Sequence, residues 1–139
     1  NNPEANTASF VNGWFRTGDQ GMLSRSGTLT LQGRLKEMIN RSGEKISPLG
    51  IDEVLLSHPA VLEAVAFGVS DDIHGEVPVG AVVLNYQITD SELIDYCRTK
   101  MASFKVPRTI YIVDSIPRTA TGKVQRRIVA EVIVDGISK

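Results

Sequence analysis

The sequence predicts an α+β fold, in which a lead-in β-hairpin precedes a small mixed sheet of about three strands flanked by helices. Three observations carry that expectation. Thr28-Leu29-Thr30-Leu31 alternates polar and apolar residues beyond the turn residues Arg25-Ser26-Gly27, as in a hairpin with one buried face. Thr89-Asp90-Ser91-Glu92 has the spacing of a capping box, and Leu93, Cys97 and Met101 then recur every fourth residue, on one face of a helix. Strand-like and helix-like segments alternate from residue 47 onward, which packs helices against a sheet.

Taken in order, residues 1–13 are polar and without a sustained period, and read as a surface segment or the tail of a preceding element. Residues 14–19 form a short strand running into a turn, and 22–24 with 28–32 form the hairpin. A two-stranded ribbon is marginal in isolation, so it should belong to a larger body. Ser47 can cap a helix that has Pro48 at its first position and Ile51, Val54, Leu55 and His58 at helical spacing, with Pro59 as its stop. Residues 64–69 and 77–84 are apolar strands joined by a solvated loop, in which Gly68, Asp71, Asp72 and Gly75 supply turn chemistry. Ser103 to Pro107 breaks the capped helix, residues 109–113 are a β-branched strand, and Ile116-Pro117 turns the chain. A last helix starts near Thr121-Gly122, with Val124, Ile128 and Val132 inward and Gln125, Arg126, Arg127 and Glu131 outward.

The 139 residues make one domain, or one domain with an appendage, and 42% hydrophobic with 22% charged residues is an ordinary globular composition. A net charge of -1 gives no electrostatic footprint for nucleic acid or for an anionic membrane, and neither partner is expected. No stretch approaches the ~20 apolar residues that cross a bilayer, and no basic leader precedes an apolar run. The single cysteine, Cys97, fits a reducing compartment and lies on the apolar helix stripe, so it reads as a packed thiol. The chain opens on Asn1 without a methionine, as a piece of something longer would.

Candidate chemistry concentrates in three places. In Pro117-Arg118-Thr119-Ala120-Thr121-Gly122-Lys123 a lysine follows a glycine where a helix N-terminus should begin, so backbone N–H groups and a mobile ammonium could meet a phosphate or carboxylate. The phosphate-loop pattern fails there, because it needs glycine at Pro117 and Ser or Thr at Val124. On spacing alone a solvated lysine is the plainer reading of Lys123. Asp19 follows Thr17-Gly18 at a strand end, a geometry suited to a ribose diol and equally to a turn aspartate bonding its own backbone. Arg34 and Lys36 point to one side of an extended chain, as two surface cations or as a ligand contact beside a pivot. Gly43 permits a close backbone approach or a positive φ. His58, His74 and the Asp71-Asp72 pair lack metal-ligand spacing, so no metal site is expected.

Three ordered segments, Gly13-Trp14-Phe15-Arg16-Thr17-Gly18-Asp19, Gly33-Arg34-Leu35-Lys36-Glu37 through Gly43, and Pro117 through Arg127, resemble the carboxy-terminal part of the adenylate-forming superfamily of acyl-CoA synthetases, luciferases and peptide-synthetase adenylation domains. The wording around residues 40–48 looks nearest to small-acid CoA ligases of the oxalate–CoA ligase type. The resemblance implies a ligase that joins a small carboxylic acid to coenzyme A through an acyl-adenylate made from Mg-ATP, with AMP and pyrophosphate released. It implies that residues 1–35 are the last strands of a large N-terminal domain and 36–139 a mobile lid, inactive alone, that rotates between two steps. In that scheme Lys123 is the adenylation lysine, Asp19 and Arg34 hold the nucleotide, and Lys36 is the hinge. Gly43, with Glu44 and Lys45, would face the pantetheine arm when the thioester forms. Several relatives carry lysine where this chain has Asn40, which leaves Arg41 or Lys45 as the available cation. Mg would be held mainly by the N-terminal domain. The alternatives are an adenylation domain loading a carrier protein, or a non-catalytic interaction module on the same fold. Such a ligase works inside the cell, in cytoplasm or peroxisome, although the terminus Gly136-Ile137-Ser138-Lys139 lacks the final leucine of a peroxisomal Ser-Lys-Leu signal.

Overall fold

The computed structural model describes residues 3–137, so the terminal Ser138-Lys139 considered for a targeting signal lies outside the described residues. The chain divides into two compact units, the division falling between Lys36 and Glu37.

The first unit opens with a short helix, α1 (Pro3–Ser9), where the polar composition predicts only a surface segment. Two-residue strands β1 (Phe10–Val11) and β2 (Trp14–Phe15) pair antiparallel. They are followed by the hairpin of β3 (Asp19–Leu23) and β4 (Leu29–Arg34), longer at its open end than the sequence predicts and one residue shorter in each strand at the turn. The Ser24 hydroxyl accepts the Thr28 N–H at 2.9 Å and closes the turn. The first unit does not itself supply the predicted buried face: Leu23, Leu29 and Leu31 stay more than half exposed. A two-stranded ribbon has no second layer to cover it.

The second unit is built on a five-stranded sheet, two strands more than the sequence suggests. The additional pair is β5 (Ile39–Arg41) and β6 (Glu44–Ile46), a hairpin with Ser42-Gly43 as its two-residue turn. Helix α2 (Pro48–Leu56) follows. Ser47 occupies its N-cap position, but the side chain makes no capping bond there. Strands β7 (Val61–Asp71) and β8 (Gly75–Leu84) pair antiparallel along nearly their whole length, and only a tight turn joins them instead of a loop. Helix α3 (Asp90–Lys100) has the predicted capping box, with the Glu92 N–H donating to Thr89 Oγ1 at 3.2 Å and the Thr89 N–H to Glu92 Oε2 at 3.0 Å. Strand β9 (Ile110–Ile112) runs parallel to β8, which makes the sheet mixed. Helix α4 (Arg126–Ile137) closes the unit.

Alternation along the central strands divides the core between the two sheet faces. Ala66 and Val82 pack with Ile51, Leu55, Leu93 and Cys97 under α2 and α3. Val65, Phe67, Val79 and Ala81 pack with Val129 and Ile133 of α4. Gly80 allows α2 this close approach, because a Cβ there would stand 3.1 Å from Leu55 Cδ1. The inward face of α4 corrects the sequence reading. Val132 is 54% exposed and Val129 and Ile133 are buried, so the inward stripe of α4, which starts at Arg126 and not near Thr121-Gly122, lies one residue on from the expected one.

Candidate functional site

Asp19 and Arg34 are cross-strand partners in the β3–β4 register, with Arg34 Nε 3.4 Å from Asp19 Oδ1. Asp19 opens β3, contrary to the reading of it as a residue closing a strand. The pair offers a carboxylate acceptor beside a guanidinium that is still 58% exposed, a donor and acceptor set suited to a ribose diol and phosphate. Lys36 is exposed in a short 3₁₀ turn, Leu35–Glu37, and is the last residue of the first unit.

In the second unit, Gly43 has φ +91° and Ser42 φ +50°, so the turn between β5 and β6 uses two left-handed residues, as a two-residue hairpin of this twist requires. A Cβ at Gly43 would meet nothing within 4 Å. Glu44 and Lys45 are exposed on β6. Close by, Arg41, His74, Arg98 and Arg108 line a depression of about 630 Å³.

Lys123 lies in a braced turn and not at the helix start that its Gly-Lys context suggests. Residues Arg118 and Val124 form an isolated antiparallel bridge. Between them the Gly122 N–H donates to the Thr119 carbonyl at 2.8 Å and the Lys123 N–H to Thr119 Oγ1 at 3.1 Å. The Arg118 guanidinium holds the Gly122 carbonyl at 3.2 Å and Glu63 of β7 at 2.5 Å. Lys123 is exposed, and no ion pair among the described residues engages it. The backbone of Lys123 is thus tied to Thr119 at the base of the loop, while its side chain is exposed.

The other end of this loop is fixed by Arg126, which sequence reasoning turns outward and the structure turns inward. Its Nε donates to Glu37 Oε2 at 3.0 Å, Nη2 to Asp52 Oδ2 at 2.6 Å, and Nη1 both to Asp52 Oδ1 at 3.2 Å and to the Ala66 carbonyl at 2.9 Å. Burial pushes the Asp52 carboxyl above its ordinary value, and the hydrogen bond and charge of Arg126 pull it part of the way back. Only Arg126 shares a motif with Lys123. Glu37 and Asp52 are 89 and 74 positions away, so no local pattern reveals them.

The sequence profile of the AMP-binding enzyme C-terminal domain matches residues 50–123, just over half of the chain. The chain belongs to this family. The chain is similar to a probable CoA ligase of Humulus lupulus, 53% identical over 99% of this chain and 27% of that protein. It is similar also to the oxalate–CoA ligase of Saccharomyces cerevisiae, 52% identical over 94% of this chain and 25% of that protein. The chain therefore spans about a quarter of the length of these relatives. Among solved structures, the o-succinylbenzoate CoA synthetase of Bacillus subtilis in complex with its acyl-adenylate intermediate aligns over 91% of this chain and 26% of that one, with TM-score 0.87 and 42% identity. ATP-bound MatB from Rhodopseudomonas palustris aligns over 99% of this chain and 28% of its own, with TM-score 0.88 and 29% identity.

Among the described residues of this AMP-binding enzyme C-terminal domain and its lead-in hairpin, no three His, Cys, Asp or Glu side chains gather as metal ligands. No described helix is long and apolar enough to cross a membrane. His58 is structural: its Nδ1 accepts the Ala60 N–H at 3.1 Å, and its ring meets Tyr96 edge-on at 4.7 Å.

Proposed function

We propose that this chain is the C-terminal portion of an AMP-forming acid–CoA ligase, with residues 1–35 the last strands of its large domain and 36–139 its rotating lid. The observation that carries this reading is Lys123, an exposed lysine with no ion-pair partner among the described residues, held on a loop anchored at both ends. In the first step the carboxylate of a small acid attacks the α-phosphate of ATP, and pyrophosphate leaves. Lys123 lies over the developing charge on carboxylate and phosphate oxygens, a task suited to a compact cation on a flexible stem. The Asp19 carboxylate accepts from the ribose hydroxyls and Arg34 contacts the nucleotide beside it. Mg belongs with the large domain, and no step here passes through it.

Rotation at Lys36 then replaces one face of the lid by another. The open space over Gly43 admits the pantetheine arm of coenzyme A, with Glu44 and Lys45 beside it. The depression lined by Arg41, Arg98 and Arg108 supplies positive charge for the phosphorylated end of the same molecule. The thiol attacks the acyl carbonyl, and AMP departs. Coenzyme A as the acceptor, in preference to a carrier protein, is supported by relatives named as CoA ligases. Such a reaction places the enzyme inside the cell, in cytoplasm or peroxisome. The test is Lys123→Ala in the full-length enzyme. Acyl-adenylate formation should fall on the order of 10²-fold or more, while thioester formation from supplied adenylate stays within a few-fold. Equal loss in both half-reactions refutes the role.

A further inference from the structure

Ser42 is one of two non-glycine residues with left-handed φ among the described residues, at +50°. An L side chain occupies that region only when its surroundings hold it there, and such positions gather at functional sites. His74, the last residue of the turn between β7 and β8, holds Ser42, and the first two residues of β8 hold the two residues before it. The Ser42 N–H donates to the His74 carbonyl at 2.7 Å, and Ser42 Oγ shares a hydrogen bond with His74 Nδ1 at 3.0 Å. Arg41 pairs with Gly75 as the only register contact between β5 and β8. The Asn40 N–H donates to Glu76 Oε2 at 2.7 Å.

That turn is itself fixed. Asp71 Oδ1 accepts the Ile73 N–H at 3.1 Å and the His74 N–H at 2.9 Å, and its other oxygen is ion-paired with Arg108. The Asp71 side chain is only 11% exposed. Arg41 Nη1 reaches from the hairpin to the Phe104 carbonyl at 2.8 Å, joining the same assembly from its other side. A two-residue hairpin turn built from Asn-Gly holds its own conformation; one built from Ser-Gly gains from an outside support. The support here contacts two polar groups of the serine, its N–H and its hydroxyl, and stops short of Gly43, where the space is open.

We infer that His74 is a positioning residue for the thiol-acceptor step: with Glu76 it locks the Ser42-Gly43 turn in its left-handed form and so sets the affinity for the acceptor without touching it. This rests on the assignment of Gly43 to the thioester-forming face made above. Adenylation, served by the Lys123 loop and its separate anchors on Glu63 and Asp52, does not depend on it.

The experiment uses the full-length ligase and measures three quantities: pyrophosphate exchange, thioester formation from supplied acyl-adenylate, and the KM for coenzyme A. His74→Ala and Ser42→Ala should each raise that KM about fivefold, as loss of one neutral hydrogen bond does, with pyrophosphate exchange within twofold. The double variant should be no worse than either single one, because both remove the same bond. His74→Asn should recover KM to within twofold, since the amide oxygen can accept the Ser42 hydroxyl from nearly the same place as Nδ1. Gly43→Asn tolerates the left-handed backbone while filling the open space, and serves as the reference. If it raises KM and His74→Ala does not, the inference fails and the proposed function stands. If Gly43→Asn leaves thioester formation intact, the assignment of that face fails and takes the inference with it. Parallel loss of both half-reactions with a lowered unfolding midpoint in His74→Ala makes the residue merely structural and overturns the inference.

Discussion

Replacement of Arg126 by methionine tests how the second unit is held together. Arg126 is 13% exposed and Asp52 12%, and four donor contacts from one guanidinium satisfy Glu37, both Asp52 oxygens and the Ala66 carbonyl. Methionine fills similar volume and donates nothing. Asp52 keeps only the Ala66 N–H at 2.6 Å, and its charge is left buried without a counterion. Removing one partner of such a pair costs about 3–5 kcal/mol. With a urea slope of about 2 kcal/mol per molar, the midpoint should fall by about 2 M. Far-ultraviolet circular dichroism is the right assay, since the helices α2, α3 and α4 lie in this unit and the only tryptophan, Trp14, lies in the other. Burial raises the folded carboxyl above its ordinary value near 3.8 even with Arg126 present. For a raised carboxyl, the folded state binds the proton more tightly, so its stability contribution is greatest at low pH and declines as pH rises through that window. Loss of Arg126 raises the carboxyl further, so the deficit of Arg126→Met should shrink at pH ~4 relative to pH ~7. Asp52→Asn in the same background keeps an acceptor for Ala66 and should recover more than half of the loss. A deficit below ~1 kcal/mol, the worth of an exposed pair, refutes the reasoning, and so does a deficit that Asp52→Asn leaves untouched.

Two further outcomes follow from local geometry. Thr89→Ala removes the side chain that closes the capping box of α3, and should lower stability by ~1 kcal/mol, read as a shift in urea midpoint; no shift would mean that the cap adds nothing to α3. Burial pushes the Cys97 thiol up to about 11, so iodoacetamide should label it only in step with the loss of helix signal as urea rises, and rapid labelling of the folded protein would contradict its burial.

Much of the fold is legible from short-range pattern. The capping box, the run that becomes β8 and the β-branched run that becomes β9 each carry their signal within a dozen residues. Gly43 is legible as a position for positive φ, because few other residue types accept it. The β5–β6 hairpin is harder to see. Each strand has three residues, Asn40, Arg41, Glu44 and Lys45 are polar, and only Ile39 and Ile46 are buried, so no alternation develops. A usable signal was present in the symmetry of Ile39 and Ile46 about Ser42-Gly43. The stripe of α4 is ambiguous for a different reason: with apolar residues at 128, 129, 132, 133 and 134, two registers fit the period equally well. What decides between them is Arg126, whose partners are remote in sequence. Ser47 and Thr89 both sit at N-caps, yet only the Thr89 side chain makes the capping hydrogen bond; Glu92 stands at the third helical position of α3, where α2 has Gly50 and no capping box can form.

The two cation types divide the work in this chain. Every ion pair among the described residues is made by an arginine. The planar fork can satisfy several acceptors at once, which is how Arg126 gathers three segments and how Arg118 joins its own loop to β7. The lysines assigned here to the hinge, the acceptor face and adenylation, Lys36, Lys45 and Lys123, are all exposed. A charge that must serve one reaction and withdraw for the next gains from a flexible stem and loses from a fixed partner. On the function proposed above, Lys123→Arg in the full-length enzyme should therefore slow pyrophosphate exchange even though the charge is retained: the wider, planar head is less able to follow the carboxylate as it closes on phosphorus, and in a loop already holding Arg118 it finds the Gly122 and Thr119 oxygens as competing acceptors.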